Sequence, residues 1–108
     1  MRKGAIVLIP FPFTDLAGHK VRPALVLFAS AKGEDCVVVF VSSQKTKRAG
    51  TFNVLVKMSS KNGLKIDSII KVDKIATLQK KIVLGELGEL EPALLAKVDK
   101  KLELLFGL

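Results

Sequence analysis

The chain has 108 residues, 49% of them hydrophobic, and its 18 lysines and arginines outnumber its 10 aspartates and glutamates, giving a formal charge of +8. This length predicts one domain, residues 1–108. No apolar run approaches the roughly 20 residues that a membrane-spanning helix needs. Met1 to Gly4 lead directly into a strand-like run, so we expect neither a membrane span nor a signal peptide.

The positive charge favours a polyanionic partner, namely RNA, DNA or an acidic protein, although lysine enrichment is also typical of heat-tolerant proteins. One cysteine, Cys36, and one histidine, His19, are too few for an internal disulfide or a zinc site, so no metal or cofactor is predicted. Cys36 opens an apolar run and is expected to be buried. The cytoplasm is the expected location.

Five apolar, β-branched runs have the length of strands. They are residues 5–9, 24–28, 37–41, 52–56 and 68–72. Turn-forming clusters separate these runs, which recur too closely for crossover helices to fit between them. The spacing therefore predicts an antiparallel barrel or curled sheet.

The C-terminal segment carries the predicted α-helix. Pro92 suits a first helical position, and Leu95, Val98, Leu102 and Leu105 follow at spacings of three and four. This pattern predicts an amphipathic helix whose apolar stripe packs on the barrel. A shorter helical turn is predicted near residues 77–81.

The connection between the first two runs, residues 10–23, is rich in proline and contains His19. Arg22 directly precedes Pro23, which favours an extended backbone at the mouth of the second strand. A guanidinium held there can bind a phosphate through two donors. It can also stabilise the negative charge that develops at phosphorus during strand cleavage. A surface charge without function is the alternative.

Two further polar segments interrupt the strand pattern. Ser42, Ser43 and Gln44 end the third run, and they suit either hydrogen bonding to a phosphate or an ordinary turn. Lys71 and Asp73 project to the same side if their segment is a strand. They then form either a pair for proton transfer and phosphate binding or an ordinary solvent-exposed face.

Taken together, these segments resemble the MazF/PemK family of toxin endoribonucleases. Pro-Phe-Pro-Phe-Thr-Asp at 10–15, followed by Arg-Pro-Ala-Leu-Val at 22–26, is similar to the opening loop and second strand of that family. Val-Ser-Ser-Gln at 41–44 is similar to its Ile-Thr-(Ser/Ala)-Gln. Residues 67–78 are similar to its Asp-Ser-Val-Val-Arg-x-Asp-x-x-x-Thr-Leu, and the resemblance covers nearly the whole chain.

The resemblance implies a mainly β fold, a small SH3-like barrel of antiparallel strands with a C-terminal α-helix. It also implies a homodimer in which two basic grooves, or one shared groove, accept single-stranded RNA, and a cognate antitoxin as partner. The implied reaction is sequence-specific and needs no metal. The RNA's own 2′-hydroxyl attacks the neighbouring phosphorus and leaves a 2′,3′-cyclic phosphate and a 5′-hydroxyl.

By position, Arg22 and Ser42 match the family's catalytic arginine and threonine, while Lys71, Asp73 and His19 match positions implicated in some members. The predicted substrate-binding residues are Lys20, Ser43, Gln44, Lys45 and Thr77. Two residues depart from the family pattern. Lys71 replaces an arginine and cannot bind a phosphate through two parallel donors, and Ala76 stands where many members have arginine.

The chain has no Trp or Tyr and only six Phe, so few stacking platforms are available and RNA recognition is expected to rely mainly on hydrogen bonds and basic contacts. Two other functions remain open. One is a CcdB-like toxin that binds gyrase through its C-terminal helix. The other is a catalytically silent nucleic-acid-binding barrel whose charge alone supplies salt-dependent affinity.

Overall fold

The computed structural model describes residues 1–11, 20–44 and 48–108. Over these residues the chain forms six strands, a short 3-10 helix and one α-helix. In chain order they are β1 (Ala5–Phe11), β2 (Lys20–Ala29), β3 (Asp35–Ser43), β4 (Asn53–Val56), β5 (Ser68–Gln79), the 3-10 helix (Lys80–Ile82), β6 (Gly85–Glu89) and α1 (Pro92–Phe106). The predicted His19 and Lys45 lie outside the described residues.

The six described strands form one antiparallel sheet in the order β4-β5-β3-β2-β1-β6. The sheet curls into a half-barrel, and α1 closes one side of it through contacts with β4 and β5. The prediction of a mainly β, SH3-like barrel with a C-terminal helix is confirmed. Among the described residues, no helix combines the length and the apolar character that crossing a membrane requires.

Apolar side chains are buried on both faces of the sheet, which explains why the strand sequences are nearly continuous apolar runs. One face, here called the helix face, packs Ile6, Leu25, Val39 and Ile70 against Val98 of α1. The other face, here called the opposite face, buries a second set of side chains. That set consists of Ala5, Val7, Ile9, Ala24, Val26, Cys36, Val38 and Leu78. Neighbouring residues of a strand alternate between these faces.

All five predicted strands are present, and four of them extend beyond the predicted runs. The largest extension is β5, which continues to Gln79. The helical turn predicted near 77–81 is therefore wrong for 77–79, and the observed 3-10 turn begins at Lys80. The sequence pattern also missed β6, whose Gly-Glu-Leu-Gly-Glu segment has low strand propensity and is held by pairing with β1.

Helix α1 begins as predicted, with Pro92 at its first position, and it ends at Gly107, whose φ of 69° is left-handed. Val98 is fully buried, and Leu95 and Leu102 pack with it against the helix-face core, which confirms the predicted stripe at these three positions; the fourth, Leu105, is half-buried outside that core. Burial of this stripe supplies most of the helix's stability, since a lone helix of this length is marginal in water.

The start of α1 is fastened to the loop that follows β4. Glu91 accepts a 2.6 Å hydrogen bond from the Ser59 hydroxyl and a 3.1 Å bond from the buried Asn62 amide. Gly63, with a φ of 73°, lies so close to β6 that an added Cβ would collide with the backbone carbonyl of Leu87. These contacts hold β6 and the helix in place on the sheet.

Candidate functional site

Arg22 is the third residue of β2, near the end of the strand that follows residues 12–19. It is paired with Ile9 of β1, and its side chain is exposed. On its other side, β2 is paired with β3 from Ala24, opposite Phe40, to the hairpin end. Pro23 has no N–H to donate, which is consistent with the ladder ending next to it.

The β2–β3 ladder ends at its Ala24–Phe40 pair, and an unchanged register continued past that pair would bring Arg22 level with Ser42. Both residues lie two positions beyond the Ala24–Phe40 pair, and both belong to strands, since Ser42 is still paired with Ile69 of β5. The two side chains that sequence reasoning singled out most strongly therefore lie on adjacent strands, at the same end of the β2–β3 hairpin.

Strand alternation also places the two side chains on one face. Side chains an even number of residues apart in a strand share a face. Arg22 is in this relation to Ala24 and Val26, and Ser42 is in this relation to Cys36 and Val38. Those four residues are all in the core of the opposite face. Arg22 and Ser42 therefore project from the opposite face at the strand ends, beyond its buried core.

Lys71 reaches the same face from β5. It is paired with Phe40, one diagonal step from Ser42, and its side chain is half-buried. Diagonal neighbours on a sheet face have Cα atoms about 7–8 Å apart, which is within reach of a long side chain. Lys71 thus adds a second cation to the site.

Asp73 lies in an irregular stretch of β5. Val39 of β3 is paired with Ile75 and the next residue, Phe40, with Lys71, so residues 72–74 bulge out of the β3–β5 ladder. Val72 is buried in the helix-face core, and Asp73 is exposed. Lys71 and Asp73 therefore flank the buried Val72, and no ion pair joins them in the described part of the chain.

The predicted substrate-binding residues divide into two groups. Lys20 has the parity of Arg22 and is exposed on the same face. Gln44 follows the end of β3, where its backbone N–H donates a 3.0 Å bond to the Asp67 carbonyl. Ser43 alternates to the helix face with Val41, so the structure places it behind the site.

Thr77 is not brought to the site. It is paired with Val37, five residues along β3 from Ser42, which is about 17 Å at the rise of a strand. It also shares the parity of Ile75, whose side chain packs on the helix-face core. Its assignment to the substrate site stays a prediction, although β5 continues as a strand beyond Lys71 and carries Thr77 away from Ser42.

Phe11 and Phe40 were not among the predicted site residues, yet both flank Arg22. Phe11 is opposite Lys20. The ring centroids of Phe11 and Phe40 are 5.7 Å apart, at an interplanar angle of 78°. The signal in the sequence was the aromatic side chain at the end of the first strand. Phe40 was hidden within an apolar run.

Among the described residues singled out by the sequence, the charges of the site come from Lys20, Arg22, Lys71 and Asp73. A planar guanidinium beside a hydroxyl suits a phosphodiester, whose oxygens it binds through paired donors. The neighbouring lysine and aspartate supply groups that donate and accept protons. This set of side chains can bind a phosphate and stabilise added negative charge on it.

The remaining candidates for chemistry lie elsewhere. Burial raises the pKa of the Cys36 thiol, which keeps it protonated and unreactive in the core. An open depression lined by Glu34, Lys80 and Lys81 lies at the far end of β3 from Ser42. Within residues 1–11, 20–44 and 48–108, no group of three or more His, Cys, Asp or Glu side chains is arranged to hold a metal ion.

Several solved structures share this fold. An endoribonuclease from a Mycobacterial species is 26% identical, with a TM-score of 0.73 over 100% of this chain and 92% of that one. A MazE–MazF complex from Deinococcus radiodurans contains a chain that is 26% identical, with a TM-score of 0.75 over 100% and 97%. An endoribonuclease in complex with its cognate antitoxin, from a Mycobacterial species, is 23% identical, with a TM-score of 0.76 over 100% and 96%.

No curated protein matches this chain in sequence. The family model of PemK-like, MazF-like toxins of type II toxin-antitoxin systems matches residues 2–106, which is almost the whole chain. The fold, the position of Arg22 and Ser42 on one face and this match agree with one another, and the chain belongs to the PemK-like, MazF-like family of type II toxins.

Proposed function

We propose that this protein is a sequence-specific endoribonuclease that cleaves single-stranded RNA, including messenger RNA, without a metal ion. The products are a 2′,3′-cyclic phosphate and a 5′-hydroxyl. The observation that supports this proposal is that Arg22 and Ser42 lie on adjacent strands, at the same end of the sheet, and alternate with residues buried on the helix face. Family membership and the endoribonucleases of the same fold support it.

Cleavage requires two proton transfers and the stabilisation of negative charge at the scissile phosphodiester. The 2′-oxygen must lose its proton as it bonds to phosphorus, the non-bridging oxygens must be stabilised as negative charge grows on them, and the departing 5′-oxygen must gain a proton. In the proposed mechanism Arg22 binds the non-bridging oxygens and the Ser42 hydroxyl donates a hydrogen bond to one of them. Ser42 is not a nucleophile, since the attacking oxygen belongs to the RNA.

The two proton transfers are assigned to the neighbouring groups. The Asp73 carboxylate is a candidate acceptor for the 2′-hydroxyl proton, and the Lys71 ammonium is a candidate donor to the 5′-oxygen. His19 remains a further candidate, because the family places an acting histidine in that connection in some members. A pH–rate profile of each variant distinguishes these assignments.

We further propose that the protein acts as a homodimer in the cytoplasm and is neutralised by a cognate antitoxin. The formal charge of +8 favours an acidic segment as the covering partner as well as RNA as the substrate. The antitoxin complex of a structural relative supports this partner. Lys20 and Gln44 are proposed to contact the RNA beside the scissile bond.

The test is cleavage of a mixed-sequence single-stranded RNA by the purified protein in excess chelator, followed by analysis of the product ends. Cyclic phosphates and 5′-hydroxyls support the proposal. Intact RNA together with trapping of gyrase on DNA supports the CcdB-like alternative, and RNA binding without cleavage supports the silent binder. Purified Arg22→Ala protein serves as the control for a contaminating ribonuclease, since a contaminant's activity does not depend on Arg22.

A further inference from the structure

Two aromatic side chains flank Arg22 on the opposite face. Phe11 is the last residue of β1 and is 43% exposed, while Phe40 lies in β3 and is half-buried. Their rings meet edge to face, with centroids 5.7 Å apart. Edge-to-face contact is a favourable aromatic geometry, so Phe40 holds the Phe11 ring from the side.

Their positions on the sheet place this pair beside the guanidinium. Phe11 is opposite Lys20 on β2, and Phe40 is opposite Ala24, so Arg22 lies between the two partner positions. Because Lys20, Arg22 and Ala24 have the same parity, both rings are diagonal neighbours of Arg22 on one face. The rings also touch across β2, which shows how strongly the sheet curls at this point.

Cations lie on both sides of the pair. Lys20 is paired with Phe11 on the neighbouring strand β2, and Lys71 is paired with Phe40 on the neighbouring strand β5. An exposed aromatic ring flanked by basic side chains matches the two needs of a single-stranded nucleic acid, a surface for a base and charges for its phosphates.

We propose that Phe11 is the stacking platform for one unpaired base next to the scissile phosphodiester, with Phe40 as its support. This inference rests on the proposed RNA-cleaving function and adds a specificity-determining contact to it. Stacking on Phe11 positions the nucleotide so that its phosphate reaches Arg22. Recognition then combines hydrogen bonds and basic contacts with one aromatic contact.

The first experiment detects the stacking directly and does not need cleavage. Since the chain has no Trp, Phe11→Trp introduces a single indole fluorophore. Phe28→Trp is the matched control, because Phe28 is 58% exposed and lies on β2 at the opposite end from Lys20, the partner of Phe11. The probe is a mixed-sequence RNA with every 2′-hydroxyl methylated, which removes the attacking group.

RNA is expected to quench the emission of the Phe11→Trp protein and to leave that of Phe28→Trp nearly unchanged. Equal quenching of both proteins, or no quenching of Phe11→Trp, would overturn the inference. This outcome is separate from the outcome of the cleavage assay, because a protein that binds RNA without cutting it still quenches.

The second experiment measures the contact in the reaction. Loss of base–aromatic stacking is expected to lower kcat/KM of Phe11→Leu by about 5- to 100-fold on the mapped cleavage sequence. Phe28→Leu is expected to cleave at the wild-type rate. An abasic ribose at the stacked position should lower wild-type cleavage by a similar factor and make Phe11→Leu indistinguishable from wild type. A Phe11→Leu defect of unchanged size on abasic RNA, or no defect on either RNA, would contradict the inference.

Discussion

Replacing Arg22 with alanine removes the guanidinium while disturbing the fold little. The side chain is exposed and makes no ion pair with another described residue. Its backbone pairing with Ile9 does not depend on the side chain. We therefore expect the free energy of unfolding to change by no more than about 0.5 kcal/mol, as for most surface substitutions.

The expected loss of activity depends on what the guanidinium does. A positive charge that only attracts RNA acts through solvent, where a unit charge at 4 Å is worth about 1 kcal/mol, or roughly fivefold in affinity. A donor pair that binds the developing charge in the transition state is worth about 100- to 1,000-fold in kcat. We predict the larger effect, with an intermediate loss in Arg22→Lys, which keeps the charge and loses the paired donors.

The assay is cleavage of a short RNA carrying the mapped site, with kcat and KM measured separately. Arg2→Ala is the matched control, because it removes the same charge from another exposed arginine, which is ion-paired to Glu89 at 2.7 Å. The control is expected to change kcat little. If Arg22→Ala alters only KM, or if both variants lose activity equally, the catalytic assignment of Arg22 is refuted.

Three further predictions concern the neighbouring hydroxyl and the loop that fastens the helix. Ser42→Ala is expected to lower kcat about tenfold or more in the same assay, whereas Ser42→Thr, which keeps a hydroxyl, retains most of it. Glu91→Gln is expected to lower the free energy of unfolding by about 1–2 kcal/mol near pH 7 in urea titrations. Partial burial acts to raise the pKa of Glu91, but its hydrogen bonds outweigh this and hold the pKa below its usual 4.5. The stabilisation is therefore present above that pH and lost as the pH falls through the lowered pKa. Gly63→Ala is expected to cost about 2 kcal/mol or more, because its φ is 73° and the added Cβ meets a carbonyl of β6.

Each of these predictions has an outcome that contradicts it. Unchanged cleavage by Ser42→Ala would remove the hydroxyl from the mechanism. A Glu91→Gln deficit that persists undiminished near pH 3 would show that the carboxylate charge is not its source. Gly85→Ala is the control for Gly63→Ala, since an added Cβ there meets no atom within 4 Å, and an equal loss in both would refute the steric argument.

The sequence predicted the elements that carry a strong periodic signal. The apolar runs located five strands, and the stripe of Leu95, Val98 and Leu102 located the helix. Strand β6 was not predicted, because its two glycines and two glutamates give it neither apolar alternation nor strand propensity. It forms because its backbone pairs with the edge of β1, a tertiary effect that no local pattern shows.

The site was predictable in its residue types and only partly in its geometry. Arg22 and Ser42 stand out because each is a polar group at the end of an apolar run. Their position at one end of β2 and β3 depends on the register of the hairpin, which includes an irregularity near Val26. Thr77 shows the limit of sequence proximity, since a strand that runs on past a bulge carries it to the other end and face of the sheet.

The central claim is that a phosphodiester binds between the Arg22 guanidinium and the Ser42 hydroxyl on the opposite face. A crystal structure of the wild-type protein with a single-stranded RNA methylated at the attacking 2′-oxygen tests it most directly. We predict one phosphate whose non-bridging oxygens lie within hydrogen-bond distance, about 3 Å, of both side chains. RNA bound along the helix face, or a strand whose phosphates approach neither residue, would contradict it.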